Sequence, residues 1–162
     1  MDKENLAFRL GILKKAGVIN NGIYEKLILL IKYLGEKWEI HLTESNGGMF
    51  ITHLSMALKR IEENENVSNI DEGVFQEVLK SEKIEEIQEI YNDIEKNVFI
   101  EKLPEEEKKY ILVNLCSFTN CFHSDSIFFR LLLFIKVFNS FLKFLISSSI
   151  FIKRNIVSFS FI

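Results

Sequence analysis

Two cysteines, Cys116 and Cys121, are all that 162 residues offer. That is too few for a disulfide framework and points to a reducing compartment. Their C-x4-C spacing has no second Cys or His pair at metal-ligand distance, which argues against zinc. Other signals are missing as well. There is no P-loop, no G-x-G-x-x-G, no G-x-S-x-G and no H-E-x-x-H. Gly47-Gly48 alone marks a loop rather than a phosphate cradle. The start, Met1-Asp2-Lys3-Glu4-Asn5, lacks the basic-then-apolar order of a secretory signal. No segment alternates with period two for long enough to make a sheet. Nothing in this inventory supports an enzyme or a resident cofactor.

Charge is distributed unevenly. Residues 1–116 hold 15 of the 20 Lys/Arg and 22 of the 23 Asp/Glu, a net of −7. An acidic body argues against direct binding to nucleic acid through a basic face. Residues 117–162 hold Arg130, Lys136, Lys143, Lys153 and Arg154 against Asp125, a net of +4. The boundary near Cys116 therefore separates a body, 1–116, from a tail, 117–162.

Apolar spacing in the body is helical nearly throughout. Leu6, Leu10 and Leu13 predict a first helix that ends near Lys14-Lys15-Ala16-Gly17, with lysines and then glycine at its C-terminus. Asn20 or Asn21 caps a second helix, in which Ile23, Leu27, Leu30, Ile31 and Leu34 recur until Gly35. Trp38 to Leu42 reads as a brief extended stretch, and Thr43 to Gly48 as a polar loop. Ser45 or Asn46 there can cap a third helix. On that helix Phe50, Leu54, Ala57, Leu58 and Ile61 share one apolar face, until Glu62-Glu63-Asn64-Glu65-Asn66 ends it. A fourth helix spans about 71–79. Ile84, Ile87, Ile90, Tyr91 and Ile94 mark a fifth, whose outer carboxylates Glu85, Glu86 and Glu89 read as a solvated face. Pro104 and Glu105-Glu106-Glu107 open a sixth, with Ile111, Leu112 and Leu115 inside. The expected fold is all-α, a bundle of five or six helices.

His53 is the candidate functional residue. It falls at the edge of the third helix's apolar face. Arg60 follows seven residues on, about 20° away in rotation and about 10 Å up the axis. An imidazole half buried beside a guanidinium is placed to have its charge state read by its surroundings. The ordinary alternative is a structural histidine with one satisfied nitrogen. His41, in the extended stretch, is either a second functional imidazole or a loop histidine in water.

The run His53-Leu54-x-x-Ala57-x-x-Arg60-Ile61 resembles the core signature of the PTS regulation domain, or PRD. Glu105-x-x-x-x-Tyr110-Ile111-Leu112-Val113-Asn114-Leu115 is similar to that domain's closing helix. The resemblance covers about residues 5–116 and implies a dimeric helical bundle that regulates transcription in bacteria. It implies phosphorylation on histidine by the sugar phosphotransferase system, with the phosphocarrier HPr or a IIB component as donor, in the cytoplasm. His53 matches the first regulatory histidine of the family. Many members carry a second histidine where this chain has Asn114, which cannot accept a phosphoryl group, so control here would run through one site. No DNA-binding, RNA-binding or transporter-like segment accompanies the module, which is similar to the small stand-alone members. Phosphohistidine carries a charge near −2, and Arg60 is the nearest cation the sequence can offer it. Seven residues is long for a contact within one helix, so a partner helix or a dimer mate is the other claimant on Arg60.

The tail has a different composition. Eleven of the 15 phenylalanines lie in it, and it has no Ala, Gly, Pro, Glu, Gln, Met, Tyr or Trp. One reading is a membrane anchor over 127–152, interrupted by Arg130, Lys136, Asn139 and Lys143. Another is a lipid-surface helix, with Lys136, Ser140, Lys143 and Ser147 in register. A third is translation past a frameshift or lost stop in an A/T-rich gene. The competing functional class is accordingly a small membrane-associated helical protein whose tail is its working part.

Overall fold

A computed structural model of the chain describes residues 2–65 and 72–119, with side chains from residue 6 onward. Six α-helices account for nearly all of it. They are α1 Asp2–Lys15, α2 Asn21–Lys37, α3 Glu44–Glu62, α4 Glu72–Leu79, α5 Ile84–Ile94 and α6 Glu105–Phe118. A π-helical turn, Glu95–Phe99, continues α5. There is no strand among the described residues, so the all-α bundle expected from apolar periodicity is the observed architecture. The expected tail, 117–162, lies outside the described residues beyond Thr119. No helix among the described residues is long and apolar enough to cross a membrane.

Helix ends follow local chemistry. Asn20 Oδ1 accepts from the Ile23 amide at 2.9 Å and starts α2. At the end of α1, Gly17 adopts φ +70°, a left-handed value that glycine tolerates best. Helix α2 runs through Gly35 to Lys37, two residues beyond the expected stop, because Gly35 is buried inside the helix instead of terminating it. The stretch expected to be extended departs from that at its first two residues. Trp38 closes α2 near φ −113°, ψ 4°, and Glu39 turns left-handed at φ +54°.

The largest departure concerns 43–48. Thr43, not Ser45 or Asn46, is the cap of α3. Its Oγ1 accepts from the Asn46 amide at 3.3 Å, and Asn46 Oδ1 accepts from the Thr43 amide at 2.7 Å. This reciprocal box satisfies two amides that the first turn leaves unbonded. It places Gly47 and Gly48 in the helix, both buried. A Cβ on Gly47 would lie 3.0 Å from the Leu42 Cβ, so close approach of the preceding chain explains a glycine there. Arg9 ties α1 to this same turn. Its Nε donates to Glu44 Oε2 at 3.1 Å, Nη2 donates to Glu44 Oε1, and Nη1 donates to Thr52 Oγ1 at 3.3 Å.

Helices α3 and α6 are the inner members of the bundle. Helix α3 packs against α1, α2 and α6, while α6 packs against α4, α5 and α3. Every residue from Phe50 to Leu58 except His53 is buried. A helix buried all round must satisfy its polar side chains internally. Thr52 and Ser55 do so by donating to the carbonyls of Gly48 and Ile51, at 2.8 and 2.7 Å. A second join holds α2 to α5. Asp93 Oδ2 accepts from the Tyr33 hydroxyl at 2.9 Å and from Trp38 Nε1 at 2.8 Å, and Oδ1 accepts from Lys37 at 3.1 Å. Burial alone would raise the Asp93 pKa, but these three donors outweigh it and hold the carboxylate below its ordinary range.

Helix α6 ends two residues past Cys116, and Phe118 packs edge-on against Phe50 with ring centroids 5.4 Å apart. Cys116, which the sequence reading left outside any disulfide framework, is buried and disulfide-bonded. A fragment ending at Thr119 should melt cooperatively with a helical circular dichroism spectrum. One ending at Cys116 loses the Phe118 ring and the last turn, and should melt at a lower temperature. Equal melting temperatures would show that the Phe50–Phe118 contact contributes nothing.

Candidate functional site

The site forms where α3 crosses α6. The capping box sets where α3 begins, and burial of its flanks fixes its rotation, so His53 faces α6. There the imidazole stacks on the Tyr110 ring, with centroids 3.8 Å apart and planes 11° apart. The two rings therefore lie nearly parallel and face to face. The residue as a whole is half-buried, yet the ring itself is enclosed. Burial first, and the nearby positive charge of Arg60 second, lower the His53 pKa from 6.5 to about 3. At neutral pH the ring is therefore uncharged, and one ring nitrogen carries a free lone pair.

Arg60 lies about two turns further along α3. In a helix, side chains lean toward the N-terminus, so its guanidinium reaches back toward the turn that carries His53. Nη2 donates to Glu107 Oε1 at 2.7 Å. The side chains are 14% and 2% exposed, so this is a buried ion pair, unlike the wet seam expected from the sequence. Arg60 Nε is buried and has no hydrogen-bond partner among the described residues. Of the two roles open to Arg60, the structure shows that it serves a partner helix while staying close enough to His53 to repel its proton.

Glu107 and Tyr110 sit one turn apart on α6, and both belong to the site. Tyr110 is half-buried, and its hydroxyl pKa is raised, by burial first and then by the negative charge of Glu107, against a smaller opposing effect of Arg60. Four side chains thus interact in one place: His53 and Arg60 from α3, Glu107 and Tyr110 from α6. Sequence reasoning grouped Glu107 with two neighbours as acids favouring the start of a helix, and that hid it. Glu105 and Glu106 fit that account, but Glu107 faces inward. The available signal was its spacing from the apolar residues Ile111 and Leu115, at i+4 and i+8, which puts it on the buried stripe.

His41 stands apart from this cluster. It is exposed, and its carbonyl accepts from Asn46 Nδ2 at 3.2 Å, so the described contacts give its ring no role in the site. Asn114 is half-buried on α6 and donates to the Tyr110 carbonyl at 2.8 Å, one turn back along its own helix.

Residues 26–118 match the family model for the PRD domain, which spans α2 through the end of α6 and includes all four site residues. The chain is also similar to the uncharacterized protein YhfY of Escherichia coli (strain K12), 27% identical over 107 residues. That alignment covers 66% of this chain and 88% of the relative. No solved structure matches the chain.

Two measurements probe this geometry. Because the folded His53 pKa lies below the unfolded value, the folded state binds fewer protons than the unfolded chain between about pH 6.5 and 3. Its contribution is complete above that window and is lost as pH falls through it, by at most about 1.4 kcal/mol per pH unit. Between pH 6.5 and 5, thermal stability should fall less steeply for His53→Gln than for the wild type; parallel profiles would refute the enclosed neutral ring. Arg60→Ala should cost about 3–5 kcal/mol, since it strands a buried carboxylate, and Arg60→Met with Glu107→Met together should recover most of it. Chemical denaturation of the three forms decides this.

Proposed function

From the premise that this chain belongs to the PRD family, a family of regulatory modules, we propose that it is a phosphorylation-controlled switch that accepts a phosphoryl group on His53. The donor is the phosphocarrier HPr or a IIB component of the sugar phosphotransferase system. The output is control of a carbohydrate-utilisation pathway through protein contacts, in the cytoplasm and as a homodimer. One arrangement carries the reading: a stacked, enclosed imidazole beside a guanidinium whose Nε has no hydrogen-bond partner among the described residues.

The chemistry is a phosphoryl transfer from the donor's nucleophile to an imidazole nitrogen. A lone pair on the His53 ring forms the N–P bond while the donor's own bond to phosphorus breaks and its electron pair returns to the donor. The proton on the other His53 nitrogen passes to water, and water reprotonates the donor. A neutral imidazole is the form that can attack. The product places nearly two negative charges beside Arg60, where a charge-assisted hydrogen bond stabilises them. Tyr110 covers one face of the ring, so it holds the imidazole plane and restricts approach to the ring edge. Asn114 offers no second acceptor.

Incubation with the general phosphotransferase enzyme, HPr and candidate IIB components should label the protein at one residue with acid-labile phosphate. His53→Ala should abolish the label, and His41→Ala should not affect it. Label that persists in His53→Ala, or that disappears only with His41→Ala, would defeat the assignment. Arg60→Lys, which keeps the charge but lacks the Nε donor, should lower the labelled fraction at equilibrium.

A further inference from the structure

A buried guanidinium with two claimants is an exchange point. Arg60 holds Glu107 through Nη2 at 2.7 Å, and that ion pair is a direct charged tie between α3 and α6. Glu107 is 1% exposed, so no water can replace Arg60 if that partner turns away. His53 is on the helix that supplies Arg60, and Tyr110 is on the helix that supplies Glu107. Any group added to the His53 ring therefore enters beside the stacked Tyr110 ring and within electrostatic reach of the Arg60 guanidinium, which Glu107 already holds.

We propose that a phosphoryl group on His53 competes with Glu107 for Arg60, so that phosphorylation loosens the join between α3 and the first half of α6. The inference rests on phosphorylation of His53 and adds what the modification does. Two physical facts drive the competition. A dianion with three acceptor oxygens outbids a monoanionic carboxylate for one guanidinium. The same dianion also repels Glu107 inside a low-dielectric pocket, where like charges are costly. The carboxylate cannot remain buried and unpaired, so it must reach solvent, and its most direct route is movement of the first turns of α6. Glu107 thus acts as a positioning residue: it holds Arg60 in place before phosphorylation and gives way after it. The Tyr110 ring, one turn on, moves with the same segment and would uncover the phosphorylated ring.

The test uses the full chain phosphorylated with potassium phosphoramidate, which supplies the phosphoryl group chemically and releases ammonia. This separates the two readings. If phosphoramidate modifies His53 but the protein cascade does not, the proposed donor is wrong and this test proceeds unchanged. If neither modifies His53, the ring is not a nucleophile and both readings fall.

On the modified protein, amide hydrogen exchange is measured across residues 105–112, with α2 as an internal reference. Exchange there should accelerate about tenfold or more on phosphorylation while α2 is unaffected. In Glu107→Gln, which removes the competing charge and keeps a carbonyl acceptor, the acceleration should be much smaller. Should that variant fold poorly, the Arg60 Nε–H resonance in 15N-labelled wild type answers the same question, since it must shift when its donor gains a phosphate oxygen. Unchanged α6 exchange, a Glu107→Gln response equal to wild type, or an unmoved Arg60 resonance would each overturn the proposal.

Discussion

The buried ion pair between Arg60 and Glu107 is the constraint around which the site is arranged. Removing two charges from water costs several kcal/mol per ion, and only good geometry with further hydrogen bonds offsets it. Here the geometry is a 2.7 Å contact between two nearly inaccessible groups, with one guanidinium nitrogen left over. Hydrophobic residues of similar size would hold α3 to α6 about as well. What they could not do is make the join depend on local charge. The pair therefore trades some packing stability for sensitivity to any anion that arrives beside Arg60.

The surroundings of α3 leave His53 as its one partly exposed position between Phe50 and Leu58. Its flanks are closed by α1 and α2, and Phe50 to Leu58 are buried apart from His53. The Arg9–Glu44 contact and the Thr43–Asn46 box pin the start of the helix, so its rotation is set well before the histidine. A helix held this firmly passes a perturbation to its less firmly held neighbour. Helix α6 begins after Pro104 without a side-chain cap, which leaves its first turn the softer side of the interface.

Much of the fold was legible because apolar residues at i, i+3, i+4 and i+7 spell out six helices. His53 and Arg60 were legible as a pair on one face. The run His53-Leu54-x-x-Ala57-x-x-Arg60-Ile61 also carried the resemblance to the family whose model matches residues 26–118. What pattern could not provide was depth. Arg60 reads as a rim residue because arginine is rarely buried, and only its partner on another helix makes burial tolerable. Glu107 reads as a dipole-favouring acid because Glu105 and Glu106 stand beside it. The start of α3 was misplaced since Gly47-Gly48 is a turn signal by composition, whereas here close packing against Leu42 claims Gly47. The π-helical turn at Glu95–Phe99 had no sequence signal. It is held by Glu95, whose Oε1 accepts from the Tyr91 hydroxyl at 2.6 Å and the Leu103 amide at 3.2 Å.

The Asp93 hub gives the molecule an optical property. Trp38 is the sole tryptophan of the chain, and its indole N–H is spent on Asp93 at the seam of α2 with α5. Indole emission responds to the polarity and hydrogen bonding around that N–H. The chain thus carries one intrinsic fluorophore, seated on a join that involves neither α3 nor α6. Its colour reports whether the α2–α5 half of the bundle is assembled. A rearrangement confined to His53, Arg60 and the first turns of α6 can pass without changing it, so the emission follows the assembly of the α2–α5 join alone.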